Sequence, residues 1–201
     1  PWDWQRGDSP DLAPAALTTR LRQELELLLE HEDWEQAISF LQSWGAMLLL
    51  DQQLQLDSDI TRRLSWASKL NVNLLSALIA VIDDCLSLSS RLQLSSKQHK
   101  FLTESVAVKD FLNSLSKTKE YLNWCPSDWT EAIEEKHWKK ESIALVICQR
   151  VPLWRFLFLW WAKWSLIESP NVATELIKMG WEPGPVLGAE LKRLRRKELD
   201  S

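Results

Sequence analysis

The sequence predicts an all-α protein, an irregular and elongated bundle of about nine to ten helices, and three observations carry that expectation. Leu, Ala, Glu, Gln, Lys and Arg dominate the chain, and these residues have high intrinsic helix propensity. Glycine and proline, at 5 and 8 copies in 201 residues, are too scarce to break the backbone often. Apolar residues recur at three- and four-residue steps, and no run of alternating β-branched residues suggests a strand. A hydrophobic share of 45% is enough for a buried core.

Residues 1–13 hold Trp2, Trp4, Gly7 and Pro10 without a sustained period and read as an extended linker. Leu17, Leu21, Leu25 and Leu28 then line one face of a helix over 14–31. Asp33 stands where an N-cap belongs, with Gln36 in capping-box register, and Gly45 ends that helix. After a short apolar stretch at 47–56, Asp57 or Ser58 restarts a helix through Ile60, Leu64, Ala67 and Leu70. Asn71-Val72-Asn73 breaks the chain before 74–82, which is apolar on nearly all sides, as a central bundle helix should be. Asp83-Asp84 at its end has no neighbouring His or Gly motif, so a structural role is expected.

A short helix over 87–94 leads to a long one, capped by Ser95 or Ser96 and reaching towards Leu122 through Phe101, Val108, Phe111, Leu112 and Leu115. Pro126-Ser127 interrupts it, with Ser127 capping a helix to about His137. The preferred boundary lies here, between neck and body helices at 14–125 and tail helices at 126–201. Further helices are expected at 139–149, 152–168, 170–179 and 186–199. The apolar run 151–167 is cut by Arg155 and Lys163 and falls short of the roughly 20 residues a bilayer span needs. It reads as a buried core helix, and no membrane partner is expected.

Composition excludes several function classes. A net charge of −4 argues against a uniformly basic nucleic-acid binder, because neutralising phosphates takes clustered Lys and Arg. Cys85, Cys125 and Cys148 are far apart and odd in number, which fits small buried thiols in a reducing, cytoplasmic setting. His31, His99 and His137 are equally scattered, so no metal is assigned to this chain. Asp57-Ser58-Asp59 has the letters of a metal-binding pair but the flanks of a helix cap. The 13 tryptophans, with their polar N–H groups, suggest helix contacts and surface grooves more than one dry core.

The most specific pattern lies at the end of the chain. Ser169 suits an N-cap and Pro170 the first helical position, where a missing N–H is no loss. Gly180 stops that helix, and Pro183-Gly184-Pro185 forms a restricted elbow. The helix beyond it carries Leu187, Leu191, Leu194 and Leu199 beside Lys192, Arg193, Arg195, Arg196 and Lys197, five cations against three Asp/Glu.

The run from Gly180 to Leu191, with the spacing G-x-x-P-G-P-x-x-G-x-x-L, resembles the C-terminal part of bacterial tRNA nucleotidyltransferases, the CCA-adding and poly(A) polymerase family. Thr19-Arg20-Leu21-Arg22-Gln23-Glu24-Leu25 is similar to that family's neck segment, with Thr19 where the family usually has Glu. Asp33-Trp34-Glu35-Gln36-Ala37 and Ser43-Trp44-Gly45 follow as its usual continuation. The resemblance spans roughly residues 17–200, its middle matching only as generic helices. The family's catalytic head carries a Gly-Gly-x-Val-Arg-Asp loop, a metal-holding D-x-D pair and an E-D-x-x-R strip that selects CTP or ATP. None occurs here, and the five glycines at 7, 45, 180, 184 and 188 include no adjacent pair. With Pro1 at its start, the chain reads as a piece of a longer protein whose head is elsewhere.

The resemblance implies a part with no catalytic residue and no cofactor of its own, Mg and CTP or ATP belonging to the head. Its partners would be that head, in the same protein or as a separate chain, and the acceptor and T arms of tRNA. A-form RNA is read mainly by shape, phosphates and 2′-hydroxyls, which suits a helical scaffold. Lys192, Arg193, Arg195, Arg196 and Lys197 are then candidate phosphate ligands. Gly184 and Gly188 mark a helix start whose N–H groups could meet an anion. At about 100° per residue the five cations cannot share one face, so two or three of them would touch RNA. Arg20 and Arg22 match positions that support the nucleotide pocket, or else pair with Glu24 and Glu26 along the helix. From another class, the alternative is a non-enzymatic helical module that binds a protein through its tryptophan-rich grooves. The sequence leaves open whether C, A, CCA or poly(A) is added, and the oligomeric state.

Overall fold

The computed structural model describes residues 15–31, 33–169 and 173–201, and these form twelve α-helices with no strand among the described residues. The all-α expectation holds. The count exceeds the nine to ten expected because several helices are single turns; nine of the twelve have seven residues or more. The linker expected at 1–13 and the Pro170 helix start lie outside the described residues. Contacts divide the chain into two compact units between Thr103 and Glu104, upstream of the Pro126 junction.

The first unit contains α1 (Ala15–Glu30), α2 (Trp34–Ser43), α3 (Gln52–Leu56), α4 (Ile60–Lys69), α5 (Leu74–Ile79), α6 (Cys85–Arg91) and the start of α7 (Ser96–Thr118). As its uniform apolarity requires, α5 is central: it packs on α1, α4 and α6, and its residues from Leu75 through Ile79 are all buried. Asn73 caps it by accepting the Ser76 N–H at 2.8 Å. Gly45 ends α2 in the left-handed conformation (φ 73°), as expected of a glycine past a helix end. The Asp33 capping box does not form. With φ −92° and ψ 22°, Asp33 lacks the extended backbone that aims a side chain at the first free N–H groups. The apolar stretch after Gly45 splits into a 3₁₀ turn, Ala46–Leu49, and the five-residue α3.

The acidic pairs of this unit are structural. Asp57 accepts the Asp59 N–H at 2.9 Å and pairs with the buried Arg63, while Asp59 pairs with Arg62 at 2.8 Å. Asp84 caps α6 through the Ser87 N–H at 3.1 Å, and Asp83 accepts the Gln53 amide at 2.7 Å. Ser95 and Gln98 complete the reciprocal cap that begins α7.

The second unit comprises the rest of α7, α8 (Pro126–Glu134), α9 (Lys140–Gln149), α10 (Trp154–Ala162), α11 (Ala173–Lys178) and α12 (Pro185–Leu199). Its core helix is α9, where every residue from Ser142 to Cys148 is buried. Ser142 donates its hydroxyl to Glu104 of α7 at 2.8 Å, which satisfies a polar group inside that core. α10, expected to be the buried helix, buries only Leu157 and Trp160, while Arg155 and Leu159 are exposed and Trp154, Phe158 and Trp161 half-buried. Its apolar residues are spread around the axis, and packing on α9 and α8 covers one side. Among the described residues no helix is long and apolar enough to cross a membrane.

Beside α10 and α12, α8 presents two chemistries. Towards α10, Trp129 is 1% exposed and stacks on Phe156 at 4.5 Å with planes 6° apart, and Trp124 meets Trp129 edge-on at 5.0 Å. Trp160 and Trp164 are buried as well, so part of the tryptophan set fills core where grooves were expected. The N-cap of α8 is Cys125, one position before Pro126, and not Ser127. Proline takes the first helical position, so the cap precedes it. Asp128 closes the cap by accepting the Cys125 N–H at 3.0 Å and its thiol at 2.9 Å.

Candidate nucleic-acid interface

The basic helix α12 starts at the Gly184-Pro185 elbow, with Pro185 pre-set for the first helical turn. Leu187 and Leu199 are buried, which fixes the helix on its apolar side. A Cβ added at Gly184 or at Gly188 would meet nothing within 4 Å, so no neighbour within the protein requires glycine there. An exposed helical glycine is about 1 kcal/mol less favourable than alanine. The Gly188 N–H is engaged by the Gly184 carbonyl at 3.1 Å. The first-turn donors without an intrahelical acceptor are those of Val186 and Leu187. Lys192 follows Gly188 by four residues on the same face and is exposed.

Three of the five candidate phosphate ligands are committed inside the protein. Arg193 pairs with Glu190 of the same helix at 2.7 Å. Arg195 forms a fork on Glu134 of α8, 2.8 Å to each carboxylate oxygen, and donates to the Ile167 carbonyl at 2.7 Å. Arg196 pairs with Asp128 of α8. Just past the helix, Asp200 accepts the Ser127 N–H at 3.0 Å and its hydroxyl at 2.8 Å. Lys192 and Lys197 are exposed and form no ion pair among the described residues.

These contacts edge a groove of about 650 Å³ between α8 and α12, lined on one wall by Glu131, Glu134 and Glu135 and on the other by Lys192, Arg193 and Arg195. Its electrostatics are those of a matched seam. Hydrogen bonds from the Cys125 thiol and N–H hold the Asp128 carboxyl below its ordinary value, against the effect of burial, and Arg196 adds to the lowering. The bond to Glu134 raises Arg195, again against burial, with Glu168 contributing. Arg193 lowers Glu190 and is raised in turn, the hydrogen bond being the larger cause for each.

Arg20 and Arg22 lie on α1 in the other unit. Arg20 is 3.8 Å from Glu24 and Arg22 3.8 Å from Glu26, and Arg22 also donates to the Gln93 carbonyl. Among the described residues no group of three His, Cys, Asp or Glu could hold a metal ion. Sequence reasoning missed Asp128 and Glu134 as partners of α12, and Ser127 as the partner of its C-cap residue Asp200. The available signal was the acidic spacing of Asp128, Glu131 and Glu134 on one helix face, complementary to a basic helix 60 residues on. Comparison with family models, curated proteins and solved structures finds no match.

Proposed function

We propose that this chain is the tRNA-holding helical part of a nucleotidyltransferase of the CCA-adding and poly(A) polymerase type, acting in the cytoplasm. It would grip the acceptor and T arms and present the 3′ end to a catalytic head that uses Mg with CTP or ATP. Two ordered sequence matches support this reading. The structural observation that carries it is the open face at the start of α12. There Gly184 and Gly188 leave space that nothing in the protein fills, next to two first-turn N–H groups, with Lys192 one turn on. A phosphate backbone needs such a surface: close approach, backbone donors and a cation. In this reading Lys192 touches phosphate, whereas Arg193, Arg195 and Arg196 hold the helix that presents it. Arg20 and Arg22 would stiffen α1 beneath the nucleotide pocket.

Titration of the chain with tRNA at several salt concentrations tests the proposal. With Lys192 as the phosphate-neutralising cation of this face, log affinity should fall with log salt at a slope of about −1, and Lys192→Ala should remove most of that dependence. Gly188→Leu should weaken binding at every salt concentration. No tRNA binding in dilute buffer would overturn the reading. A second reading, a protein-interaction module, is favoured by the exposed cluster of Phe40, Trp44, Leu48 and Leu49, of which Trp44 is 76% exposed. Salt-insensitive capture of a protein partner, lost in Trp44→Ser, would support it instead.

A further inference from the structure

α10 carries a strip that its role as packing does not explain. Trp154, Phe158 and Trp161 recur at four- and three-residue spacing and share one side of the helix, which the buried Leu157 borders on its inner edge. Their ring centroids are 6.4 Å and 6.5 Å apart, the Phe158 and Trp161 planes being within 17° of parallel. All three rings are half-buried, so part of each remains open to solvent. Arginines cover one end: the guanidinium of Arg150 lies 5.4 Å and that of Arg155 5.9 Å from the Trp154 ring centre.

The charge of this segment is one-signed. Residues 149–167 hold Arg150, Arg155 and Lys163 and no Asp or Glu, in a chain of net charge −4. Arg155 and Lys163 are exposed and pair with no carboxylate among the described residues. Arg150 closes α9 in left-handed backbone (φ 52°). Flat aromatic faces flanked by cations, in a segment that itself carries no acid, match a single-stranded polyanion whose bases stack while its phosphates pair. An apolar protein partner does not need this charge bias. Beside the Phe40 and Trp44 cluster the exposed Arg91 is spent on the Leu49 and Leu50 carbonyls, and nothing indicates what covers that cluster.

We infer that the α10 strip is a stacking platform for unpaired RNA nucleotides, with bases on Phe158 and Trp161 and a phosphate on Arg155. The inference rests on the tRNA-holding reading and adds to it a contact for unpaired nucleotides, separate from the duplex contact at α12.

The test measures affinity of the full chain for two labelled RNAs, an unpaired oligoadenylate and a blunt A-form duplex. Trp161→Ala and Phe158→Ala should each weaken the oligoadenylate by about fivefold to a hundredfold while leaving the duplex within about twofold. Trp161→Phe should keep most of the binding, which separates loss of stacking from loss of fold. Arg155→Glu, at an exposed site, should cost the oligoadenylate about tenfold at low salt. Lys192→Ala should show the reverse selectivity. Oligoadenylate binding that ignores these ring and charge variants overturns the inference. So does duplex binding without oligoadenylate binding, which leaves the α12 reading intact. Strip-dependent oligoadenylate binding without duplex binding sinks the α12 reading and keeps the strip. A strip that captures a protein in high salt and ignores both RNAs is an apolar docking face, which also overturns it.

Discussion

Two helices of the second unit carry the cations that matter here, and they use them in opposite ways. α12 has five Lys and Arg, yet Arg193, Arg195 and Arg196 each pair with a carboxylate within the protein. The α10 segment has only three, yet no Asp or Glu occurs along it, and two of its cations have no carboxylate partner among the described residues. A count of basic residues therefore misjudges where an anion can bind. A cation already matched to a carboxylate has part of its charge and of its donors taken up before a phosphate arrives. A cation resting on an aromatic ring keeps its charge available.

The sharpest way to break this comparison is to remove one arginine from each helix. Arg195→Ala should destabilise the fold by about 2 kcal/mol in urea unfolding, because the mutation removes a fork and a carbonyl bond and leaves Glu134 without its partner. Arg155→Ala should stay within about 0.5 kcal/mol of the parent. Equal losses would show that both helices use their cations structurally.

Acid should loosen α12 before it touches α10. The folded-state pKa of Asp128 is depressed, so its contribution is present above the ordinary value of 3.8 and is lost as pH falls through the lower folded value. Stability followed from neutral pH downwards should decline most steeply in that acid window, and Asp128→Asn should flatten the decline. An unchanged slope in that variant would remove Asp128 from the seam.

The smallest expected effects concern the open face. Gly188→Ala should stabilise the chain by up to about 1 kcal/mol, since the position is helical and a Cβ there is unobstructed. Its affinity for duplex RNA should fall modestly if a backbone approaches at that point. Lys197→Ala should change stability by less than about 0.5 kcal/mol.

Local chemistry made much of the fold legible. Gly45, Asn73 and Ser95 act within three residues of their own helix ends, so propensity and capping found the end of α2 and the starts of α5 and α7. Uniform apolarity likewise marked α5 as central. The site was less legible because its geometry is long-range. Arg195 meets Glu134 across 61 residues and Asp200 meets Ser127 across 73, and no periodicity encodes such a pairing. The run 151–167 misled for a related reason: mean apolarity is the same whether aromatic rings point inward or stand half-open, and only the packing of α9 and α8 decides. The Thr103/Glu104 division was invisible because α7 runs through it without a break.

The bend at Arg150 sets a trade-off that evolution or an engineer can adjust. Exchanging it for glycine would relax the left-handed turn that closes α9 and make the second unit sturdier. The same exchange would strip the guanidinium from the Trp154 face. A lineage selected for heat resistance alone would be expected to drift towards glycine at this position.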